Sequence, residues 1–351
     1  MKTVRVNVRE GYDVNIGSGI LPEFGAMLAE VAKPPKKVCI VSDSNVAPLY
    51  GETVRKSLES AGFSPFTIVF PAGEQSKNMT TLASILEEMA DASLTRSDLV
   101  VALGGGVTGD MAGFAASIYL RGVKFAQIPT TLLAAVDSSV GGKTAVDLNH
   151  GKNLAGVFAQ PILVCCDTDT FMTLTPEIFA DGAAESIKYG ILDDKPLFEA
   201  FSGGTVQNIE DIVASCVQHK ADYVERDEFD RGDRKFLNLG HTMAHAIEKL
   251  SGYAFPHGHA VAVGTVMIAR AGEKMGVTEK GTTDEIIRIF KENNLPVASP
   301  YDAESLFTAA CGDKKREGGK ITVIMIEKIG KCFLKTVPVE ELRNIAVSGK
   351  E

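Results

Sequence analysis

The sequence predicts an α/β N-terminal domain with a doubly wound, mostly parallel nucleotide-binding sheet, followed by a mostly α-helical C-terminal domain. Residues 1 to about 170 alternate short strand-like segments with longer segments of helical spacing, an order typical of parallel sheets. Residues 175–312 carry long helical patterns and few strand-like runs. We therefore expect domains at 1–172 and 173–351, with a ligand cleft near 170–178.

Length and composition narrow the class of protein. A chain of 351 residues with 45% hydrophobic content can form two cores, and a net charge of −9 argues against nucleic-acid or anionic-membrane binding. The six cysteines are scattered without a C-x-x-C pair, which favours a reducing compartment. The N-terminus alternates like a strand and does not resemble a signal peptide, and no apolar run approaches about 18 residues. We expect a cytoplasmic protein without a nucleic-acid or membrane partner.

The elements can be predicted in chain order from hydrophobic periodicity. The first two strands, at 4–8 and 12–16, suit a hairpin or paired edge strands. A second hairpin is expected near the C-terminus, at 320–326 and 331–337. Between them, strands are predicted at 37–43, 66–70, 98–103 and 125–128, and helices at 51–61, 77–92 and 107–118.

A glycine-rich turn follows the strand at 98–103. Gly104, Gly106 and Gly109 formally match G-x-G-x-x-G between a strand and a helix, where backbone amides can hold a pyrophosphate. No acid follows about twenty residues later at the end of the next strand, where a dinucleotide fold places its ribose partner. Asp43 and Glu74 end other strands, so we predict a nucleotide lying across several strand ends. The alternative is a tight turn that needs glycine for packing.

The segment from Asp137 to Asn153 offers cations on a glycine-bearing stretch. Its Gly-Gly-Lys143-Thr resembles the end of a P-loop, but Asp137 stands where the first glycine would be, so an ATP-binding P-loop is rejected. We interpret the segment as a flexible loop whose Lys143, Lys152 and Asn153 suit a phosphate or carboxylate ligand. A solvated loop with surface lysines remains the alternative.

The second domain contains a cluster of histidines. Four of the six histidines lie between residues 241 and 259, and His241, His245 and Glu248 share one helix face. His257 follows a loop and could return to the same point, so the pattern favours a metal or proton-transfer site, in which His241 and His245 could both ligate. A lone histidine would more often be a satisfied core or capping residue. Glu185 and Lys188, one turn apart, would usually form a surface ion pair, but the small and apolar residues around them also suit a buried role. The remaining cations are each more often solvent-facing than functional, but together they suit a doubly anionic ligand beside a metal: Lys220, Arg234, Lys235, Lys314 and Lys315.

Taken together, these residues resemble the 3-dehydroquinate synthase family, sugar-phosphate cyclases of the shikimate pathway. The likeness runs the length of the chain and departs from the frequent family pattern at Ala145-Val-Asp147 and at Ala244. The matching motifs are Pro71-Ala-Gly-Glu74-x-x-Lys77, Gly104-Gly-Gly-Val-x-Gly-Asp110, Gln127-Ile-Pro-Thr-Thr131, Asp137-Ser-Ser-Val-Gly-Gly-Lys143, Gly151-Lys-Asn153, Glu185-x-x-Lys188, Asn238-x-Gly-His-Thr-x-x-His245-Ala-x-Glu and His257-Gly.

The resemblance implies a role for individual residues. It implies one divalent metal ion, Zn²⁺ or Co²⁺, bound by Glu185, His241 and His257. His245 is then not a metal ligand but a residue that contacts the substrate. It implies an NAD site with Asp43, Asn45, Glu74, Lys77, Gly104, Gly105, Gly106, Asp110, Thr130, Thr131, Lys143, Lys152 and Thr173. It implies a sugar-phosphate site with Asp137, Lys143, Asn153, Lys188, Lys220, Arg234, Asn238 and His245. Arg121 matches a position that reaches the neighbouring subunit's phosphate site, which implies a homodimer.

The family reaction converts 3-deoxy-D-arabino-heptulosonate 7-phosphate to 3-dehydroquinate and phosphate, with transient oxidation by NAD. A metal-dependent polyol or alcohol dehydrogenase is the nearest alternative, although a neutral alcohol would give the lysines and Arg234 no partner. A related cyclase that acts on another sugar phosphate is a second alternative, against which Arg234 as a carboxylate partner argues. A non-catalytic NAD-binding sensor would require a vestigial metal site.

Overall fold

The computed structural model describes residues 1–34, 36–204, 206–311 and 319–348. The chain packs as two compact units, a sheet unit of Met1–Leu174 with Val213–Phe229 and a helical unit of Thr175–Ile212 with Asp230–Glu351. The expected helical domain included residues 213–229, which group instead with the sheet. Lys314 and Lys315, expected near the substrate, lie outside the described residues.

Seven strands form the sheet of the first unit. They are β1 Lys2–Val6, β2 Tyr12–Gly17, β3 Lys37–Asp43, β4 Ser64–Phe70, β5 Leu99–Gly104, β6 Lys124–Pro129 and β9 Leu163–Asp167. Their order across the sheet is β1-β2-β9-β6-β5-β3-β4. β1 and β2 pair antiparallel at one edge, and the remaining pairs are parallel. The helices are α1 Phe24–Val31, α2 Ala47–Ser60, α3 Met79–Asp91 and α4 Gly106–Ile118.

The sheet has a core on each face, as a doubly wound fold requires. Val38 and Ile40 belong to the cluster that includes α1 and α2, whereas Cys39 and Val41 belong to the cluster that includes α3 and α4. Successive side chains of a strand point to opposite faces, so a continuous apolar run such as β3 is buried on both sides. The predicted fold class is confirmed.

The segment 137–153, interpreted from sequence as a flexible loop, has regular structure. A π-helical turn, Ala134–Ser138, precedes a two-stranded antiparallel hairpin of β7, Lys143–Leu148, and β8, Gly151–Phe158. Its glycines made the strand pattern too weak to recognise. β9 was also absent from the prediction, although all five of its residues are buried.

The second unit is helical, with one hairpin. Helix α7, Ile209–Arg226, begins in this unit and continues into the first. The predicted hairpin is present as β10, Lys320–Lys328, and β11, Lys331–Pro338. The other helices are α5 Pro176–Asp193, α6 Lys195–Glu199, α8 His241–Leu250, α9 His257–Lys274, α10 Thr282–Glu292, α11 Ala303–Cys311 and α12 Glu341–Ser348. No helix within the described ranges is both long and apolar enough to cross a membrane.

Candidate functional site

The sheet unit brings its expected nucleotide residues together where three neighbouring strands end. β3 lies between β4 and β5, so the chain reverses its direction of winding between β3 and β5, and such a switch point is where open α/β sheets bind ligands. Asp43 ends β3, Gly104 ends β5, and Thr130 and Thr131 follow β6. The parallel registers, Ser42 with Leu103 and Gly104 with Pro129, place these termini side by side.

The glycine turn packs closely against neighbouring polar side chains. Gly105 precedes α4, and a Cβ built on Gly105 or Gly106 would lie 3.2 Å from Thr131 or 3.1 Å from Ser138. A side chain on Gly104 would lie 2.5 Å from the Thr108 hydroxyl, so this position also requires glycine for packing. Thr130 is 2% exposed, and its hydroxyl has no hydrogen-bond partner among the described residues. A buried hydroxyl without a partner beside open helix amides fits a pyrophosphate-bearing ligand.

Asp43 and its neighbours form the polar end of β3. One Asp43 oxygen accepts hydrogen bonds from the Asn45 and Val46 amides at 2.8 and 3.1 Å, and Thr108 donates to the other at 3.2 Å. Thr173, another expected cofactor residue, hydrogen-bonds the Tyr50 hydroxyl at 2.7 Å. The carboxylate is therefore held in place at the switch point.

Lys77 is the centre of a buried polar cluster in the same unit. It is 5% exposed, its Nζ lies 2.6 Å from Asp110 Oδ2, and it donates a 2.6 Å hydrogen bond to Asn153 Oδ1. Burial lowers the pKa of Lys77, but Asp110 and Glu74 outweigh burial and raise it, so the ammonium stays charged. Lys152 pairs with Glu74 at 3.3 Å. Residues expected at the NAD and substrate sites thus contact one another.

Asp137 and Lys220 form a second contact between expected substrate residues. Lys220 Nζ donates to the Asp137 backbone oxygen at 2.6 Å and to its carboxylate at 2.7 Å. Lys220 is 5% exposed, although sequence reasoning favoured solvent exposure. Lys143, at the start of β7, is exposed.

The helical unit brings Glu185, His241 and His257 together. One potential ligand atom from each lies within 4.8 Å of the others, and within the described residues this is the one such group of three or more acidic, histidine or cysteine side chains. Glu185 Oε1 is 3.7 Å from His241 Nε2 and 3.5 Å from His257 Nε2. A carboxylate with two imidazoles is a common catalytic set for zinc, which leaves positions open for substrate. These residues therefore fit a divalent metal ion.

His245 lies outside this group. It is exposed on α8, one turn after His241, and its ring centroid is 5.5 Å from that of His241. The possibility that the His241 and His245 pair both ligate is therefore not favoured by the geometry. Asn238, which ends a 3-10 helix just before α8, is half-buried.

Hydrogen bonds define which nitrogen of each imidazole faces Glu185. His241 Nδ1 lies 3.0 Å from the Leu239 carbonyl, so Nδ1 carries the proton and Nε2 is available to a metal. His257 Nδ1 lies 3.4 Å from the carboxylate of Glu248. The sequence placed Glu248 on the same helix face as His241 and His245, and the structure gives it contact with His257.

The two imidazoles have opposite electrostatic environments. Burial, assisted by Lys188, lowers the pKa of His241 to about 3. Burial also lowers the pKa of His257, but Glu185 and Glu248 outweigh it and raise the value to about 10. In the absence of metal, His241 is neutral at pH 7 and His257 is protonated.

Lys188 is buried beside this group, and Arg234 is buried in the same helical unit. Lys188, one turn after Glu185, contacts Glu185 Oε2 and donates a 2.6 Å hydrogen bond to the Leu237 carbonyl. Its ammonium thus holds one oxygen of Glu185, while the other faces the histidines. Arg234 is 2% exposed. Two buried cations carry a large desolvation penalty that an anionic ligand could offset.

Asp181 holds the N-terminus of α9, a role that no sequence motif indicated. Its carboxylate accepts hydrogen bonds from the His259 backbone amide at 3.0 Å and lies 3.1 Å from His259 Nδ1. Pro256 precedes α9 without a side-chain cap, so Asp181 supplies that cap from α5. One helix therefore provides both Glu185 and the residue that positions His257; the only sequence signal was an acid one turn before Glu185.

Fold and site together define a class: a two-unit protein with a doubly wound sheet unit whose strand ends suit a nucleotide and a helical unit whose acid and two histidines fit a metal ion. Solved structures with this fold include 2-deoxy-scyllo-inosose synthase complexed with carbaglucose-6-phosphate, NAD⁺ and Co²⁺, with a TM-score of 0.88, 23% identity, and coverage of 98% of this chain and 99% of that one. ValA, a 2-epi-5-epi-valiolone synthase from Streptomyces hygroscopicus with NAD⁺ and Zn²⁺ bound, has a TM-score of 0.87 at 24% identity and 99% coverage of both chains. Glycerol dehydrogenase from Schizosaccharomyces pombe is more distant, with a TM-score of 0.67, 14% identity, and coverage of 96% and 88%.

Sequence comparison identifies the family. The family models for 3-dehydroquinate synthase N-terminal and C-terminal match residues 67–181 and 182–316. 3-Dehydroquinate synthase of Enterococcus faecalis is 42% identical over 339 residues, 95% of this chain and 94% of the relative. That of Clostridium kluyveri is 41% identical over 350 residues, 97% of each chain. The chain belongs to the 3-dehydroquinate synthase family, which confirms the resemblance found in its motifs.

Proposed function

We propose that the protein converts 3-deoxy-D-arabino-heptulosonate 7-phosphate to 3-dehydroquinate and phosphate, with NAD and one Zn²⁺ or Co²⁺ ion. The observation that carries the proposal is the group of Glu185, His241 and His257 beside the buried cation Lys188, in a chain about 42% identical to enzymes of that name. A dehydrogenase of a neutral alcohol would give the buried Arg234 and the lysines assigned to the substrate no anionic ligand to bind.

NAD and the metal ion would supply a reversible hydride acceptor and a Lewis acid that lowers the pKa of a bound hydroxyl. The open strand ends support the NAD assignment of Asp43, Asn45, the three glycines, Thr130 and Thr131. The cluster around Lys77 supports the assignment of Glu74, Asp110 and Lys152. Lys143 and Thr173 stay assigned by family resemblance.

The substrate's charges account for the remaining polar residues. Arg234 would pair with the carboxylate, because a guanidinium matches its two oxygens. Lys143, Asn153 and His245 would hold the phosphate, so that the departing phosphate can accept the neighbouring C–H proton. Lys220 is held by Asp137 for contact with the anionic substrate, and Lys188 and Asn238 would donate to its oxygens.

We also propose a cytoplasmic homodimer in which Arg121 reaches the phosphate site of the second subunit. Arg121 is exposed with a positive φ of 68°, directly after Leu120 at 49°. Such backbone is unusual for residues other than glycine. The family position of Arg121 supports this role. Sedimentation at micromolar concentration tests the dimer, and mixing Arg121→Ala with a second inactive variant tests sharing of sites.

The decisive measurement is phosphate release from the heptulosonate phosphate with NAD well below the substrate concentration. We expect many turnovers per NAD, no accumulation of NADH, and loss of activity after chelation that Zn²⁺ or Co²⁺ restores. One NADH per turnover would identify a dehydrogenase instead. Phosphate release from a different sugar phosphate in a substrate panel, with none from the heptulosonate, would identify a related cyclase.

A further inference from the structure

The tip of the β7–β8 hairpin contains an irregularity at the residues expected to contact substrate. Val146 pairs with Ala155 and Leu148 with Gly151, so Asp147 alone stands opposite residues 152–154. Extra residues on one strand form a bulge, and bulges redirect side chains near active sites. Asn153 lies in this bulge with a φ of 56°, in the left-handed region that residues other than glycine rarely adopt.

Three hydrogen bonds close a ring around the bulge. The Asn153 backbone amide donates to Asp147 Oδ1 at 2.8 Å. The Asp147 backbone amide donates to the Lys77 carbonyl at 2.8 Å, and Lys77 Nζ donates to Asn153 Oδ1 at 2.6 Å. Asn78 and Asp147 also form a parallel bridge. The ring joins the loop after β4, with Glu74 and Lys77, to the hairpin tip that carries Lys152 and Asn153.

We infer that Asp147 is a positioning residue: its side-chain oxygen holds Asn153 in the left-handed conformation and so aims Asn153 and Lys77 at the reacting ligands. This inference rests on the proposed function for the roles of Asn153 and Lys77. The backbone amide of a bulge residue does not face a ladder carbonyl, so without Asp147 it would lose its acceptor. Asp147 acts through other residues and is not itself assigned a ligand.

The requirement is for an acceptor at one place, not for a negative charge. Burial is the largest influence on Asp147 and raises its pKa, although Asn153 and Lys77 favour the carboxylate. An asparagine oxygen would occupy the same place without the desolvation penalty of a charge. A glutamate would keep the charge but move the acceptor by one methylene, about 1.5 Å.

The test compares Asp147→Asn, Asp147→Glu and Asp147→Ala in the metal- and NAD-loaded enzyme. We expect Asp147→Ala and Asp147→Glu to lower kcat by about 10- to 100-fold, because misplacement by about 1 Å has effects of that order. Asp147→Asn should recover most of this loss. Asn149→Ala, an exposed substitution in the same turn, is the matched control and should leave kcat unchanged. The inference would be overturned if Asp147→Glu kept full activity and Asp147→Asn lost it, because the negative charge of residue 147 would then be what matters.

Amide hydrogen exchange at residues 151–155 gives a readout independent of turnover. Exchange should accelerate in Asp147→Ala and Asp147→Glu but not in Asp147→Asn or Asn149→Ala, while the thermal midpoint and metal content stay unchanged. Equal exchange in all variants would overturn the inference even if kcat falls. If the wild-type protein released no phosphate, the proposed function would be wrong, but the role of Asp147 in the ring could still be tested by amide exchange.

Discussion

At the scale of single residues, Glu248 is expected to set the affinity of the metal site through His257. Its carboxylate lies 3.4 Å from His257 Nδ1, and such partners fix the orientation of a ligating imidazole and raise its basicity. Glu248→Gln keeps the shape and removes the charge. We expect metal affinity, measured by chelator competition, to fall by about 10- to 100-fold. Glu340→Gln, the same substitution at an exposed site, serves as control, and unchanged affinity in Glu248→Gln would refute this role.

Lys188 allows catalysis to be separated from metal binding. Its ammonium contacts Glu185 Oε2 and is not part of the group of three. Removing a cation beside a bound cation does not weaken the attraction between metal and ligands, so Lys188→Met should retain metal by elemental analysis. Turnover should fall by at least about 100-fold if Lys188 contacts the reacting substrate. The control is Lys195→Met, an exposed substitution just after α5, and metal loss in Lys188→Met would show that the lysine is required to hold Glu185.

Single residues also show how much of the candidate site could be predicted from the sequence. Glu185, His241 and His257 are 72 positions apart at the extremes (257 − 185), so the motifs identified them only through family resemblance, and the structure supplied their proximity. Periodicity placed Glu248 on the correct helix face but could not show which histidine it contacts. Burial of Lys220 and Arg234 depends on long-range packing, which local composition does not encode.

At the scale of elements, the close approach of α5 and α9 is expected to hold His257 in place. A Cβ on Gly258 would overlap the Asp181 carbonyl oxygen, so Gly258→Ala must push the helices apart. We expect a loss of roughly 1–3 kcal/mol in the free energy of unfolding, measured with urea, together with weaker metal binding. Gly51→Ala, inside α2 with nothing within 4 Å, should be neutral or stabilising. Equal stability of Gly258→Ala and wild type would contradict this account.

Elements of the sheet were predictable to different degrees. β3 and β5 are apolar and bounded by polar residues, so their pattern and position were recognisable. β7 and β8 contain glycines, and β8 is largely exposed or half-buried, so its sequence resembles a loop. Its strand conformation depends on pairing with β7 and on the ring through Lys77, contacts between residues distant in sequence.

At the scale of the whole molecule, the alternation of strands and helices was sufficient to predict fold class. The placement of 213–229 was not predictable, because a helix of this composition suits either unit and only its packing decides. One interaction that ties it to the sheet unit is that of Glu225 with the Asn7 backbone amide at 2.7 Å, and another is the ion pair of Glu228 with Arg9 at 2.7 Å. Neither glutamate could be recognised from sequence as a contact to the sheet unit, since surface carboxylates are common.

The two histidines of the metal group give metal-free stability a predictable dependence on pH. The folded-state pKa of His241 is lowered from 6.5 to about 3, so the unfolded chain binds more protons between these values and stability falls as pH falls through that window. The folded-state pKa of His257 is raised from 6.5 to about 10, so its contribution is fully present below pH 6.5 and is lost as pH rises toward 10. These two groups together favour the metal-free fold most near pH 6.5.

A metal ion should abolish the alkaline loss, because it binds the neutral imidazole and displaces the proton from His257. The affinity for the metal ion should therefore rise by about tenfold per pH unit between pH 7 and 9. Calorimetry in buffers of different ionisation enthalpy should show about one proton released per metal ion bound. In chelator, the urea concentration at the midpoint of unfolding should be lower at pH 9 than at pH 6.5. With Zn²⁺ bound, the two midpoints should be equal. His219→Gln, at a histidine outside the group, should preserve this pattern. His257→Gln should remove both the proton release and the alkaline loss, and a variant that kept them would assign the raised pKa to another residue.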